Sequence, residues 1–181
     1  MCRYAMTIYK PHYACFECRK TFKRRLLGDI KKGAKVSVAA KCPECGNLTA
    51  DMGLDFESPR KDDYKSWEHM KNLYTVGETF HSCGCSGPGY IPKSFEQLSE
   101  LLLNKKRSYI ANLQFWLSRK DAIIKEDVAR ESEERSKFRG QISYRLQSKK
   151  GCIKTQDAID FWNKNLIDLE RKIELLGKQK K

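Results

Sequence analysis

The sequence predicts an α+β protein: a small β domain with one short helix over residues 1–93, then an α-helical hairpin over residues 94–181. Three observations carry this reading. Two C-x-x-C pairs, Cys15/Cys18 and Cys42/Cys45, are separated by 23 residues. Residues 35–40, between the pairs, alternate in the period-two manner of a half-buried strand. From Leu98 onward apolar residues recur in steps of three and four, with no proline after Pro92.

The cysteines set the chemistry of the first domain. Eight occur in 181 residues, at positions 2, 15, 18, 42, 45, 83, 85 and 152. The first six residues begin no apolar run of signal-peptide length, so the expected compartment is the cytoplasm, where thiols ligate metals more often than they form disulfides. Two thiolates spaced by two residues reach one metal from a single tight turn, and two such turns complete a tetrahedral shell of four sulfurs. Pro43 stiffens the second turn and Gly46 supplies unusual backbone angles at its exit. Four thiolates with no open position describe a closed structural site, for which Zn2+ is the first choice, with one ion expected. Iron is the rival. Arg19 stands where an iron-binding knuckle of the rubredoxin kind usually has glycine, which favours zinc.

Between the pairs, residues 19–26 and 35–40 read as the arms of a β-hairpin that turns near Lys31-Lys32-Gly33. Knuckle, hairpin and a second knuckle of the form C-P-x-C-G resemble the zinc-ribbon family over about residues 12–50, on Cys15, Cys18, Cys42, Cys45, Pro43 and Gly46. The resemblance is to bacterial zinc ribbons of the ribosomal or nucleic-acid-binding kind. It implies a fold unit and a metal, not one task, because zinc ribbons serve ribosomal proteins, transcription factors, polymerase subunits and primases alike. The spacer is longer than a minimal ribbon needs, which implies an enlarged hairpin.

Charge points to the partner. Lys plus Arg number 36 against 23 Asp plus Glu, a formal net charge of +13. Residues 1–93 carry 16 basic and 10 acidic side chains and residues 94–181 carry 20 and 13, so the excess is spread rather than held in a tail. Such a balance suits a polyanion, above all nucleic acid. Arg19, Lys20, Lys23, Arg24 and Arg25, followed by Lys31, Lys32, Lys35 and Lys41, are the expected phosphate contacts. On a metal-fixed ribbon they lose little entropy on docking. Tyr13 and Phe16 beside the first knuckle either stack on an unpaired base or pack over the metal site.

Residues 51–59 read as an extended connector. Tyr64, Trp67, Met70, Leu73 and Tyr74 then recur at near-helical spacing after Asp62-Asp63, giving a short helix that ends before Gly77, with His69 an ordinary packing residue. The Gly-rich segment 80–90 gathers His81, Cys83 and Cys85. It admits three readings: a loop packed on the ribbon, a second structural metal completed by His12, Cys2, Cys152 or water, or a catalytic metal with one open position.

Ser94-Phe95-Glu96-Gln97 is a capping-box pattern opening a long helical stretch with apolar residues at Leu98, Leu101, Leu102, Ile110, Leu113, Leu117, Ile124 and Val128. The charged run 131–139 and Gly140 offer a break. Thr155 can start a second helix, in which Ile159, Trp162, Leu166, Leu169, Ile173 and Leu176 form a heptad seam. The two helices should fold back on each other, burying Trp116 and Trp162, unless the seam is used for self-association.

A mean hydropathy of -0.69 excludes a membrane-embedded chain. The segment lacks H-E-x-x-H, G-x-S-x-G and the phosphate-binding glycine motifs, and no catalytic residue is expected. The expected function is therefore an RNA-binding structural or assembly protein, ribosome-associated, with RNA or a ribonucleoprotein as partner. The alternatives are a DNA-binding, transcription-associated ribbon and a metalloenzyme or redox protein using His81, Cys83 and Cys85.

Overall fold

The computed structural model describes residues 10–25, 40–82, 87–118, 138, 141–143, 146 and 155–179. They fall into two compact units, Met1–Leu98 with Leu175–Lys181, and Ser99–Glu174. The described structure is mixed: a small three-stranded antiparallel sheet near the amino end and three helices.

In the first unit, β1 (His12–Cys15) and β2 (Lys20–Lys23) pair antiparallel with Tyr13 opposite Phe22 and Cys15 opposite Lys20. β3 (Ala50–Gly53) pairs on the other edge of β1, with a register shift between His12 and Tyr13, so the order is β2-β1-β3. Side chains alternate across the sheet as the pleat requires. Ala14, Ala50 and Met52 enter a core with Phe56 and Trp67. Tyr13 and Phe22, on the opposite face, stack at 6.2 Å with their rings 16° apart.

The turn and most of the second arm of the hairpin expected between the knuckles lie outside the described residues, and the pairing that is described runs on either side of each knuckle. Residues 20–23 pair back onto residues 12–15 across the first knuckle, while 35–39 lie outside the described residues. The second knuckle likewise carries its own two arms: Lys41 bridges Leu48, the Cys42 amide donates to the Asn47 carbonyl at 2.8 Å, and the Thr49 amide donates to the Ala40 carbonyl at 2.9 Å. Each C-x-x-C turn reverses the chain by itself, so strands form on either side of it. The connector expected over 51–59 also needs correction, because its first residues belong to β3. Asp51 and Gly53 are poor strand formers, and burial of Met52 overrides them.

Gly53 marks a close approach. Its φ of 93° lies in the left-handed region, and a Cβ there would stand 2.5 Å from both the Phe80 carbonyl carbon and the His81 nitrogen. Residues 80–82 return to this edge: the Phe80 amide donates to the Met52 carbonyl at 2.8 Å, and the Asp55 amide donates to the Phe80 carbonyl at 3.2 Å.

Between Gly53 and that return lies α1 (Tyr64–Thr75). Asp63 caps it, accepting from the Ser66 amide at 3.1 Å and the Ser66 hydroxyl at 2.7 Å. The helix stops where Gly77 takes a φ of 80° and donates to the Tyr74 carbonyl at 3.0 Å. Trp67 and Leu73 are buried on its inner face, and the Trp67 indole donates to the Arg60 carbonyl at 3.0 Å. Burying a side chain of this size is worth roughly 1.5–3 kcal/mol, a small sum for so short a unit.

α2 (Phe95–Leu117) opens on the expected cap, with the Gln97 amide donating to the Ser94 hydroxyl at 3.3 Å and the Lys93 amide to the Gln97 side chain at 2.9 Å. In the second unit it meets α3 (Thr155–Gln179) through Lys106 to Glu170 at 2.7 Å and Tyr109 against Trp162 at 5.2 Å. The order of these pairs is antiparallel. Trp116 and Trp162 are both buried, in one cluster with Ile142, Ala158 and Ile159. Every seam position from Ile159 to Leu176 is buried or half-buried. The break expected at 131–140 lies outside the described residues, apart from Phe138. Among the described residues no helix is long and apolar enough to cross a membrane.

Replacing Gly53 with Ala should lower stability by about 2 kcal/mol or more, because it adds a backbone clash to left-handed strain of order 1–3 kcal/mol. Gly89→Ala, at a φ of 82° with open space around it, should cost only the strain. Urea midpoints of the two variants check the difference. The Ser66 bonds hold the Asp63 carboxyl below its ordinary range. Its contribution is therefore complete above the ordinary carboxylate pKa and is lost as pH falls through the depressed folded value. Asp63→Asn should flatten that acid limb in denaturation curves taken at several pH values.

Candidate metal centre

The two knuckles bring four sulfurs together. Cys15 closes β1, Cys18 lies in the turn before β2, and Cys42 and Cys45 lie on the second turn. All four ligand atoms lie within 4.8 Å of one another. Cys15 and Cys45 sulfurs are 3.6 Å apart, and Cys18 and Cys42 sulfurs 3.9 Å apart. A disulfide needs about 2.05 Å. A tetrahedron with metal–sulfur bonds of about 2.3 Å has edges of about 3.8 Å, which these separations match. Four cysteines are thus positioned to bind one metal ion.

Backbone geometry repeats between the knuckles. Arg19, after the second cysteine of the first, has a φ of 51°, and Gly46, at the same place in the second, has 74°. Arginine there accepts a left-handed cost of about 1–2 kcal/mol, which glycine avoids. Its side chain gives a reason: Nε donates to the Lys61 carbonyl at 2.9 Å and the guanidinium sits 4.2 Å from the centre of the Tyr64 ring. The knuckle is thereby tied to the first turn of α1. The lack of glycine at Arg19 therefore does not change the turn, and it loses its force as a sign against iron.

Burial grades the four thiols, with Cys15 and Cys42 buried, Cys18 intermediate and Cys45 exposed. Amides of Cys45 and Glu44 donate to the Cys42 sulfur and bring its thiol down to about 7. Cys18 is pushed up to about 12, chiefly by hydrogen bonding with the Cys45 sulfur and then by burial. Burial also raises Cys15, against an amide donated by Cys18. The donated amides favour the Cys42 thiolate, the form that ligates a metal.

The aromatics beside the first knuckle pack. Phe16 contacts Trp67 at 6.4 Å and Tyr74 at 5.9 Å, and is partly buried against the core of the β unit. His12 donates to the Phe56 carbonyl through Nδ1 at 2.5 Å. His69 is a packing residue as expected, with Nε2 against the Pro92 carbonyl at 2.8 Å.

The basic residues have different surroundings. Lys20 pairs with Glu44, between the knuckles. Lys23, Arg24, Arg25 and Lys41 are exposed, while Lys31, Lys32 and Lys35 lie outside the described residues. Of the second cluster, His81 is 54% exposed and engaged on both ring nitrogens, by Asp51 at 3.3 Å and Thr79 at 2.8 Å. Cys83 and Cys85 lie outside the described residues. Sequence reasoning missed Lys61, which joins Arg19, Lys20 and Lys23 around one groove. The pair Arg60-Lys61 just before a helix cap was its signal.

No family model, curated protein or solved structure with which the chain was compared matches it.

Cys42→Ser should abolish metal binding and unfold the β unit while helicity from α2 and α3 persists, since structural metal binding of roughly 10–16 kcal/mol exceeds what so small a core supplies. Metal analysis with circular dichroism checks both halves of this expectation. One ion per chain, unchanged by His81→Ala, would leave segment 81–85 as packing; a second ion lost in that variant would make it a second site.

Proposed function

We propose that the chain is an RNA-binding structural or assembly protein, associated with ribosomes or another ribonucleoprotein, whose zinc ribbon docks on RNA phosphates. The observation that carries the reading is the coupling of cations to the four-thiol unit: Lys20, Lys23, Arg24, Arg25 and Lys41 are exposed on the arms of the two knuckles. Metal binding would hold these charges at fixed spacing, so that counterion release is gained without much loss of chain entropy. Zinc suits four thiolates with no open position, a set built for structure. The even spread of the +13 charge over the sequence adds a field that draws a polyanion to either half.

On the helices the same charge has other work. Lys106 pairs with Glu170, and Arg107 donates to Asn104 at 3.3 Å, so this basic cluster serves the helical unit before it serves a partner. The antiparallel helices then act as an arm, and the metal unit as the contact.

Replacing Lys23, Arg24 and Arg25 together with Ala should weaken binding to unrelated RNAs alike and flatten the plot of log affinity against log salt by about two to three units. Anisotropy titrations at several salt concentrations measure this. Tighter binding to duplex DNA than to folded RNA at moderate salt would move the assignment to a transcription-associated ribbon, and co-sedimentation with ribosomal particles tests the particle itself.

A further inference from the structure

A groove of about 390 Å³ runs between the outer strand β2 and residues 58–61. Arg19, Lys20, Lys23 and Lys61 line it, with Phe22 and Pro59 as its apolar surfaces. The hydroxyls at its base are already used, Thr21 donating to Ser58 and Ser58 to the Pro59 carbonyl at 3.3 Å. The cations are not equivalent. Lys20 is neutralised by Glu44. Arg19 is held by a carbonyl and a ring, partners that leave its full charge in place. Lys23 and Lys61 have no ion-pair partner among the described residues, and Glu44, which lies within the field of Lys61, is already paired with Lys20.

Three uncompensated cations around one concavity call for an anion, and the apolar surfaces beside them call for a flat or ring-shaped group next to it. We propose that this groove seats one nucleotide unit of a single strand, its phosphate against Lys23 and Lys61 and its base or sugar against Phe22 and Pro59. The inference rests on the RNA reading above and narrows it from folded RNA in general to an unpaired segment. The volume agrees, being on the scale of a small-molecule pocket, beginning at about 300 Å³, whereas shape recognition of duplex RNA spreads over about 16 base pairs. Aromatic contact with an unpaired base is also tolerant of sequence.

The test uses the full, zinc-loaded chain with three labelled probes: a 12-nucleotide oligouridylate, an abasic strand of the same length, and a 12-base-pair RNA duplex. The single strand should bind at least fivefold tighter than the abasic strand and tighter than the duplex. Lys61→Ala should reduce the salt slope for the oligouridylate by about 0.7, the increment for one phosphate contact on a single strand, and Lys61→Glu should weaken it further. Lys61 is exposed, and the hydrogen bond it gives the fold among the described residues comes from its backbone carbonyl, so zinc content and helicity should match the wild type in both variants. A wild-type chain that binds no RNA would remove the function proposed above. RNA binding by the wild type with the slope unchanged in Lys61→Ala, equal affinity for the abasic strand, or equal competition by polyglutamate would each overturn the groove alone.

Discussion

Four sulfurs held at tetrahedral separations are the constraint on which the amino-terminal unit depends. The strands are only four residues long, and the core beneath them has five buried members. Such a sheet cannot offset the entropy of ordering its own chain. A metal bound by both turns would join segments that start 27 positions apart and convert two marginal reversals into one body. The register of β1 against β2, with Lys20 opposite Cys15, lets Cys15 and Cys18 both turn toward that position.

From that body the structure is extended by contacts at the knuckles rather than by more sheet. Phe16 inserts toward Trp67, and Arg19 reaches the start of α1. Glu44 of the second knuckle meets Lys20 of the first strand pair, so a charge contact crosses the same junction as the thiols. Helix position and metal geometry are therefore linked through ordinary side-chain interactions. The basic groove is a by-product of this arrangement: it exists because residues 58–61 must pass β2 before α1 can pack.

The parts legible in the sequence were those with a strong period or a chemical spacing. C-x-x-C pairs gave the four thiols, and repeats of three and four gave α1 and α3 nearly to their ends and the start of α2, whose expected continuation through Ile124 and Val128 lies outside the described residues. The three strands were harder. His12 to Cys15 contains one strong strand former, and β3 contains both Asp51 and Gly53, so neither stands out from its loop. Their pairing is decided by the metal turns and by burial of Ala14 and Met52, which no local pattern displays. Lys61 escaped for a related reason. Its closeness to Lys23 is created by the passage of one loop past a strand, a long-range event that the basic pair Arg60-Lys61 announces only as charge and not as a contact.

The return of Phe80 to β3 has a consequence for how the chain matures as it leaves the ribosome. All four ligands have been synthesised once Cys45 emerges, yet the edge of the sheet that Gly53 keeps open is covered only after Phe80 appears. Metal capture and closure are thus separated by the time taken to make some thirty-five residues, including the whole of α1. During that interval the Met52 carbonyl lacks the partner that Phe80 later supplies. Vectorial synthesis therefore places a premium on early ion uptake, since an ion already seated limits how far the waiting strands can stray into non-native pairings.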